Sequence, residues 1–125
     1  MTDDEIIQMT REHFERLFPK VCPTCGRRFE TLQEYILETN RIGMTICYDV
    51  EMGNWETTQP IGAVALSNCH CGNTMALTSE GMPISQINLV LRWIKEETKR
   101  RSMSPKQIMG YIRNEIRKRV LADPV

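Results

Sequence analysis

Two pairs of cysteines, far apart along the chain, constrain this sequence more than any other feature. Cys22-Pro23-Thr24-Cys25-Gly26 lies near the front, and Cys69-His70-Cys71-Gly72 follows beyond the middle. A C-x-x-C turn can aim two thiolates at one ion, and a tighter C-x-C turn can do the same. Four sulfurs are the tetrahedral set that a structural zinc ion requires. A glycine directly follows each pair, as suits a tight turn needing φ > 0 while backbone N–H groups approach sulfur. Pro23 fixes φ inside the first turn and helps pre-form it. One ion shared by both turns would clamp the front of the chain to a segment much later in it.

These paired turns resemble those of zinc-ribbon and zinc-knuckle proteins, over about ten residues of the chain. The second pair departs from the commoner C-x-x-C spacing. The resemblance implies one Zn²⁺ held by Cys22, Cys25, Cys69 and Cys71, with iron on the same thiolates as the less favoured ion. Four thiolates on a divalent cation carry net negative charge. Arg27 and Arg28, next in sequence to the first turn, are therefore candidate outer partners of the sulfurs. The side chain of His70, between two ligands in an extended turn, should point away from the ion. Cys47 is the odd thiol, and burial on a strand is the expected role.

Other uses of the cysteines fit less well. C-P-x-C also resembles the dithiol of glutaredoxin-like enzymes, but no βαβ pattern precedes Cys22, Gly26 interrupts any immediate helix, and the second pair would be left unexplained. Four cysteines close a zinc shell and leave no position for a catalytic water. His13-Phe14-Glu15 ahead of Cys22 and Cys25 only superficially matches the zinc-deaminase signature, because the proline is misplaced and the separation too short. His13 falls on the apolar face of a helix, as a core histidine would. No phosphate-cradling glycine loop or G-x-S-x-G elbow occurs. The expected protein is not an enzyme.

With 125 residues, 16 basic and 16 acidic, the chain suits a single modest core, for which a metal clamp would supply missing stability. No apolar run approaches the roughly 20 residues of a membrane span. The acidic start, Met1 to Glu5, lacks the features of a signal peptide, so a cytoplasmic location is expected. Charge is segregated. Residues 32–91 carry six acids and one base, whereas residues 92–119 carry ten bases and three acids.

Local patterns predict an α+β chain: a small zinc-stabilised antiparallel β section with an N-terminal helix and a C-terminal helical hairpin. Residues 1–83 form the expected zinc-binding part and residues 84–125 a helical extension. Thr2 and Glu5 make a capping box for a first helix ending near Phe18, and Thr31 and Glu34 suggest a second for a helix to about Asn40. Met44, Ile46, Tyr48 and Val50 alternate with polar residues, predicting a half-buried strand. Trp55 begins an expected partner strand. The run from Ile61 to Leu66 and the segment Thr74–Thr78 read as a hairpin with the second cysteine pair at its tip, while the first pair caps the approach to a helix. Ser104, Pro105 and Gln107 start the last helix.

The helix from Ile84 to Arg101 has a stripe wide enough to face more than one neighbour, and Ile87, Leu91, Trp93 and Ile94 make a candidate homo-oligomer interface. Three functions follow. The first is a non-enzymatic interaction or regulatory module whose helices bind another copy or another protein. The second is a nucleic-acid-binding regulator using Lys99, Arg100, Arg101, Lys106, Arg113 and Arg117 on phosphates. The third is a thiol redox protein using Cys22 and Cys25.

Overall fold

A computed structural model describes residues 1–124. The chain runs α1 (Asp3–Glu15), β1 (Lys20–Val21), β2 (Arg28–Phe29), α2 (Leu32–Glu38), β3 (Asn40–Cys47), α3 (Tyr48–Glu51), β4 (Ala63–Asn68), β5 (Thr74–Thr78), α4 (Ile84–Arg101) and α5 (Pro105–Ala122). It is an α+β fold with two antiparallel sheets, β1-β2 and β3-β4-β5, and helices at both ends. No described helix is long and apolar enough to cross a membrane.

Helix starts follow local chemistry. Thr2 and Glu5 form a reciprocal capping box on α1, and Ser104 and Gln107 form another on α5, with Pro105 at its first position. On α2 only half of the expected box is present. Thr31 accepts the Glu34 N–H, but the Glu34 carboxylate takes the N–H of Glu30.

The expected strand through Val50 is corrected. β3 ends at Cys47, and Tyr48–Glu51 form a short helix. The fully buried Asp49 causes the break, because its carboxylate accepts the N–H groups of Ile61 (3.0 Å) and Gly62 (2.9 Å). Nor does Trp55 begin a strand. Thr57 exchanges two hydrogen bonds with the amide of Asn88 on α4 instead (both 2.9 Å). A side-chain amide offers the same donor and acceptor as a peptide, so it replaces a ladder partner.

β3 pairs with β4 across an irregularity between Ile42 and Ile46, and β4 pairs with β5 residue for residue. Side chains alternate across the sheet. Arg41, Thr45 and Cys47 share a face with Ala63, Ala65 and Ser67, and this face looks toward α4 and α5. Of the predicted apolar set, Met44 and Ile46 lie on the other side, and only Val50, within α3, is buried in the core. Met44, Ile46 and Tyr48 are 57, 38 and 45% exposed.

One apolar core joins all parts of the chain: Ile6 and Ile7 of α1, Phe29, Leu32, Tyr35, Met75, Leu77, Leu91, Ile94, Ile108 and Ile112 belong to it. Leu91, Trp93 and Ile94 are 1, 3 and 0% exposed within the single chain, and Ile87 packs against the same core. The wide stripe of α4 is thus spent on the chain's own core, and these residues offer little surface to a second copy.

Ion pairs of both polarities tie the two C-terminal helices to α1. Arg101 pairs with Asp3 and with Glu97 (2.7 Å to Glu97), Arg119 with Asp4 (2.6 Å), and Arg11 with Asp123. Tyr111 donates to the same Asp3 carboxylate (3.1 Å). Burial tends to raise the pKa of Asp3 and Glu97, but bonds from Arg101, joined by Tyr111 and Arg100 respectively, outweigh it and hold both below the ordinary 3.8 and 4.5. Groups whose folded pKa is depressed stabilise fully above the unfolded value, and that contribution is lost as pH falls through the folded one. Stability should therefore hold level for this cluster above about pH 5 and decline below about pH 4. Glu97→Gln should lose about 1–3 kcal/mol at pH 7 and show a shallower acid decline in urea titrations at pH 3 to 7. An unchanged acid limb would exclude the cluster as its source.

Candidate metal centre

Each cysteine pair occupies the tip of a hairpin. Around the first, Cys22 N–H donates to the Arg27 carbonyl (2.8 Å) and Gly26 N–H to the Cys22 carbonyl (2.8 Å). The two-residue strands β1 and β2 flank this turn, so the first pair sits between strands rather than at a helix start. Around the second, Cys69 N–H donates to the Asn73 carbonyl (2.9 Å) and Gly72 N–H to the Cys69 carbonyl (2.9 Å). Gly26 and Gly72 adopt φ of +78° and +90°, as expected from their places behind the cysteines.

The two tips meet. The Sγ atoms of Cys22, Cys25, Cys69 and Cys71 all lie within 4.8 Å of one another. Cys22 is 3.6 Å from Cys71, and Cys25 is 3.7 Å from Cys69, so each close pair joins one turn to the other. Sulfurs placed tetrahedrally about 2.3 Å from one zinc ion stand about 3.8 Å apart, whereas bonded sulfurs stand about 2.05 Å apart. All four are free thiols. The spacing fits a shared ion.

The electrostatics agree with the need for a cation. N–H groups of Cys25 and Thr24, together with neighbouring thiols, bring Cys22 down to about 6. At Cys71 the Asn73 N–H lowers the pKa, but burial and the three other thiols prevail and push it up to about 11. Four crowded sulfurs cannot all ionise without an added positive charge. A divalent metal supplies that charge and makes every thiol a thiolate ligand.

Asn73 was not singled out by any sequence motif, yet its side-chain amide donates to Cys22 Sγ (3.6 Å). Only a contact across the turn identifies it. Arg27 and Arg28 have partners other than sulfur. Arg27 lies over the Phe29 ring (5.0 Å) and pairs with Glu38 (3.5 Å) and Glu34 (4.0 Å), and Arg28 pairs with Glu30. His70 points outward, 3.9 Å from the Glu38 carboxylate. His13 is buried and its Nε2 lies 2.9 Å from the Thr78 carbonyl, the role of a core histidine. Cys47 stands apart from the cluster, half-buried, and burial pushes its thiol pKa up.

Of the proposed nucleic-acid contacts, Arg100 and Arg101 are paired with Glu97, and Lys106 lies 4.0 Å from Glu51. Lys99 is exposed. Arg113 and Arg117 line the cavity between sheet and helices. The six therefore do not form one basic face. Comparison with family models, with curated proteins and with solved structures finds no match for this chain.

Proposed function

We propose that this protein is a non-enzymatic interaction or regulatory module whose fold is stapled by one structural zinc ion. The observation that carries the reading is the convergence of four sulfurs from two distant turns. A complete shell of thiolates favours zinc and leaves no coordination site for a substrate water. The same convergence engages Cys22 and Cys25 with a second pair, which speaks against a freely cycling dithiol. Elemental analysis of protein made in zinc- and iron-containing medium tests the reading. One zinc per chain is expected; a coloured iron-loaded protein, or metal-free protein with unchanged stability, would refute it.

The partner surface in this reading is the outer face of the three-stranded sheet. Ile42, Leu66 and Ala76 stand in one row and Ile46 and Val64 in the next, beside exposed Met44. The inward-facing arginine of β3 is on the opposite side, so this face presents no ionisable side chain from the paired strands. An uncharged apolar face suits an identical copy of itself, since neither partner must desolvate a charge. Ile46→Lys should shift the mass in solution from dimer to monomer. A wild-type protein already monomeric at about 100 μM would exclude self-association on this face.

A further inference from the structure

The central strand of a sheet packed on helices normally fills its inner face with large side chains. Here β4 places only Ala63, Ala65 and Ser67 there, and a cavity of about 160 Å³ remains between the sheet and helices α4 and α5. Its deeper walls are apolar, with Leu77, Leu91, Ile94 and Ile112 among them. Apolar cavities of about 150 Å³ can stay dry and accept a benzene-sized guest.

One end is different. Arg41, Arg113 and Arg117 all line the cavity, and among the described residues none has a carboxylate within 4 Å. Arg113 makes only a 3.3 Å bond to the Gly43 carbonyl, and Arg41 a 3.5 Å bond to Asn114. Burial, then Arg41 and Arg117, bring the pKa of Arg113 down to about 10, which marks an uncompensated positive charge. Among the described residues the buried Thr45 Oγ1 in the same lining has no hydrogen-bond partner, and the Tyr35 hydroxyl, on a side chain 3% exposed, has only the Ser67 hydroxyl of β4 as a polar neighbour. Buried polar groups are nearly always paired. The carboxylate of Asp49 also lines the cavity, but beyond the opposite end of β3 from Arg41, and it is committed to the amides of Ile61 and Gly62.

We propose that this cavity binds a small amphipathic monocarboxylate, an aryl or medium-chain acyl acid, with its tail against Ala65 and Leu77 and its carboxylate among Arg41, Arg113, Arg117 and Tyr35. Guanidinium groups match a carboxylate by paired N–H donors. The small side chains of β4 give the tail its room. The site goes beyond the structural metal and does not rest on it.

Calorimetry on the metal-loaded full chain with octanoate, 1-octanol, acetate and octyl phosphate tests the proposal. Octanoate should bind saturably, at least tenfold more tightly than octanol, which lacks the charge, or acetate, which lacks the tail. Arg41→Gln with Arg117→Gln, both at exposed positions that leave the core intact, should weaken octanoate at least tenfold and leave octanol unaffected. Ala65→Leu should abolish binding of both by filling the cavity. No octanoate binding at millimolar concentration, or equal binding by the arginine variant, would overturn the proposal. Octyl phosphate bound tenfold more tightly than octanoate would overturn the carboxylate assignment. A zinc-loaded, stable protein that ignores octanoate would sink this site and leave the metal reading standing.

Discussion

Cys69→Ser is expected to release the metal and lower the melting temperature by roughly 10–15 °C, the shift that a loss of about 3 kcal/mol produces in a domain of this size. Cys69 is 3% exposed and its sulfur lies 3.7 Å from Cys25 in the opposite turn. Serine would leave three thiolates and a poor fourth donor. Metal binding in such sites is itself folding free energy, on the order of 10 kcal/mol at neutral pH, so a partial loss of affinity is felt directly as instability. A strong chelator should reproduce the effect in the wild type and add little in the variant. Cys47→Ser, outside the cluster, should keep its metal. Retention of both metal and melting temperature in Cys69→Ser would remove the staple from the account.

The second large effect is expected at Asp49, which no motif marks. Its carboxylate is wholly buried and accepts two backbone N–H groups from the segment leading into β4. Tyr48 N–H donates to the Gly62 carbonyl (2.9 Å), so the same segment is held from both sides. Asp49→Ala would strand two part-buried donors, and about 2–4 kcal/mol should be lost. Asp49→Asn can still accept one bond and should lose less. Urea denaturation of the three proteins checks the order. An Asp49→Ala protein within 1 kcal/mol of wild type would show that water satisfies those amides.

What could be read from the residues was what adjacent chemistry decides. The cysteine turns, their glycines, and the caps at Thr2 and Ser104 all act within four or five positions. Choices made across the fold were less legible. Alternation in Met44 to Val50 showed two faces but misled as to which one meets the helices, because the face turned inward carries Arg41, Thr45 and Cys47 while the apolar Met44 and Ile46 lie outside. The stripe of α4 announced burial, yet the same residues suit either a second copy or the chain's own core. Asp49 and Asn73 were invisible because their partners lie across a turn or a loop. The gap in the core was invisible too, since Ala63, Ala65 and Ser67 look ordinary until their shared face is known.

The ion pairs of α1 have a bearing on how the molecule is made. Asp3, Asp4 and Arg11 find their partners 98, 115 and 112 residues downstream. Helix α1 therefore waits for α4 and α5 before these pairs can form, while the two cysteine hairpins can meet in the interval. Such distant pairings slow folding, and nascent chains halted before α4 should bring the two cysteine hairpins together while α1 is still loosely held.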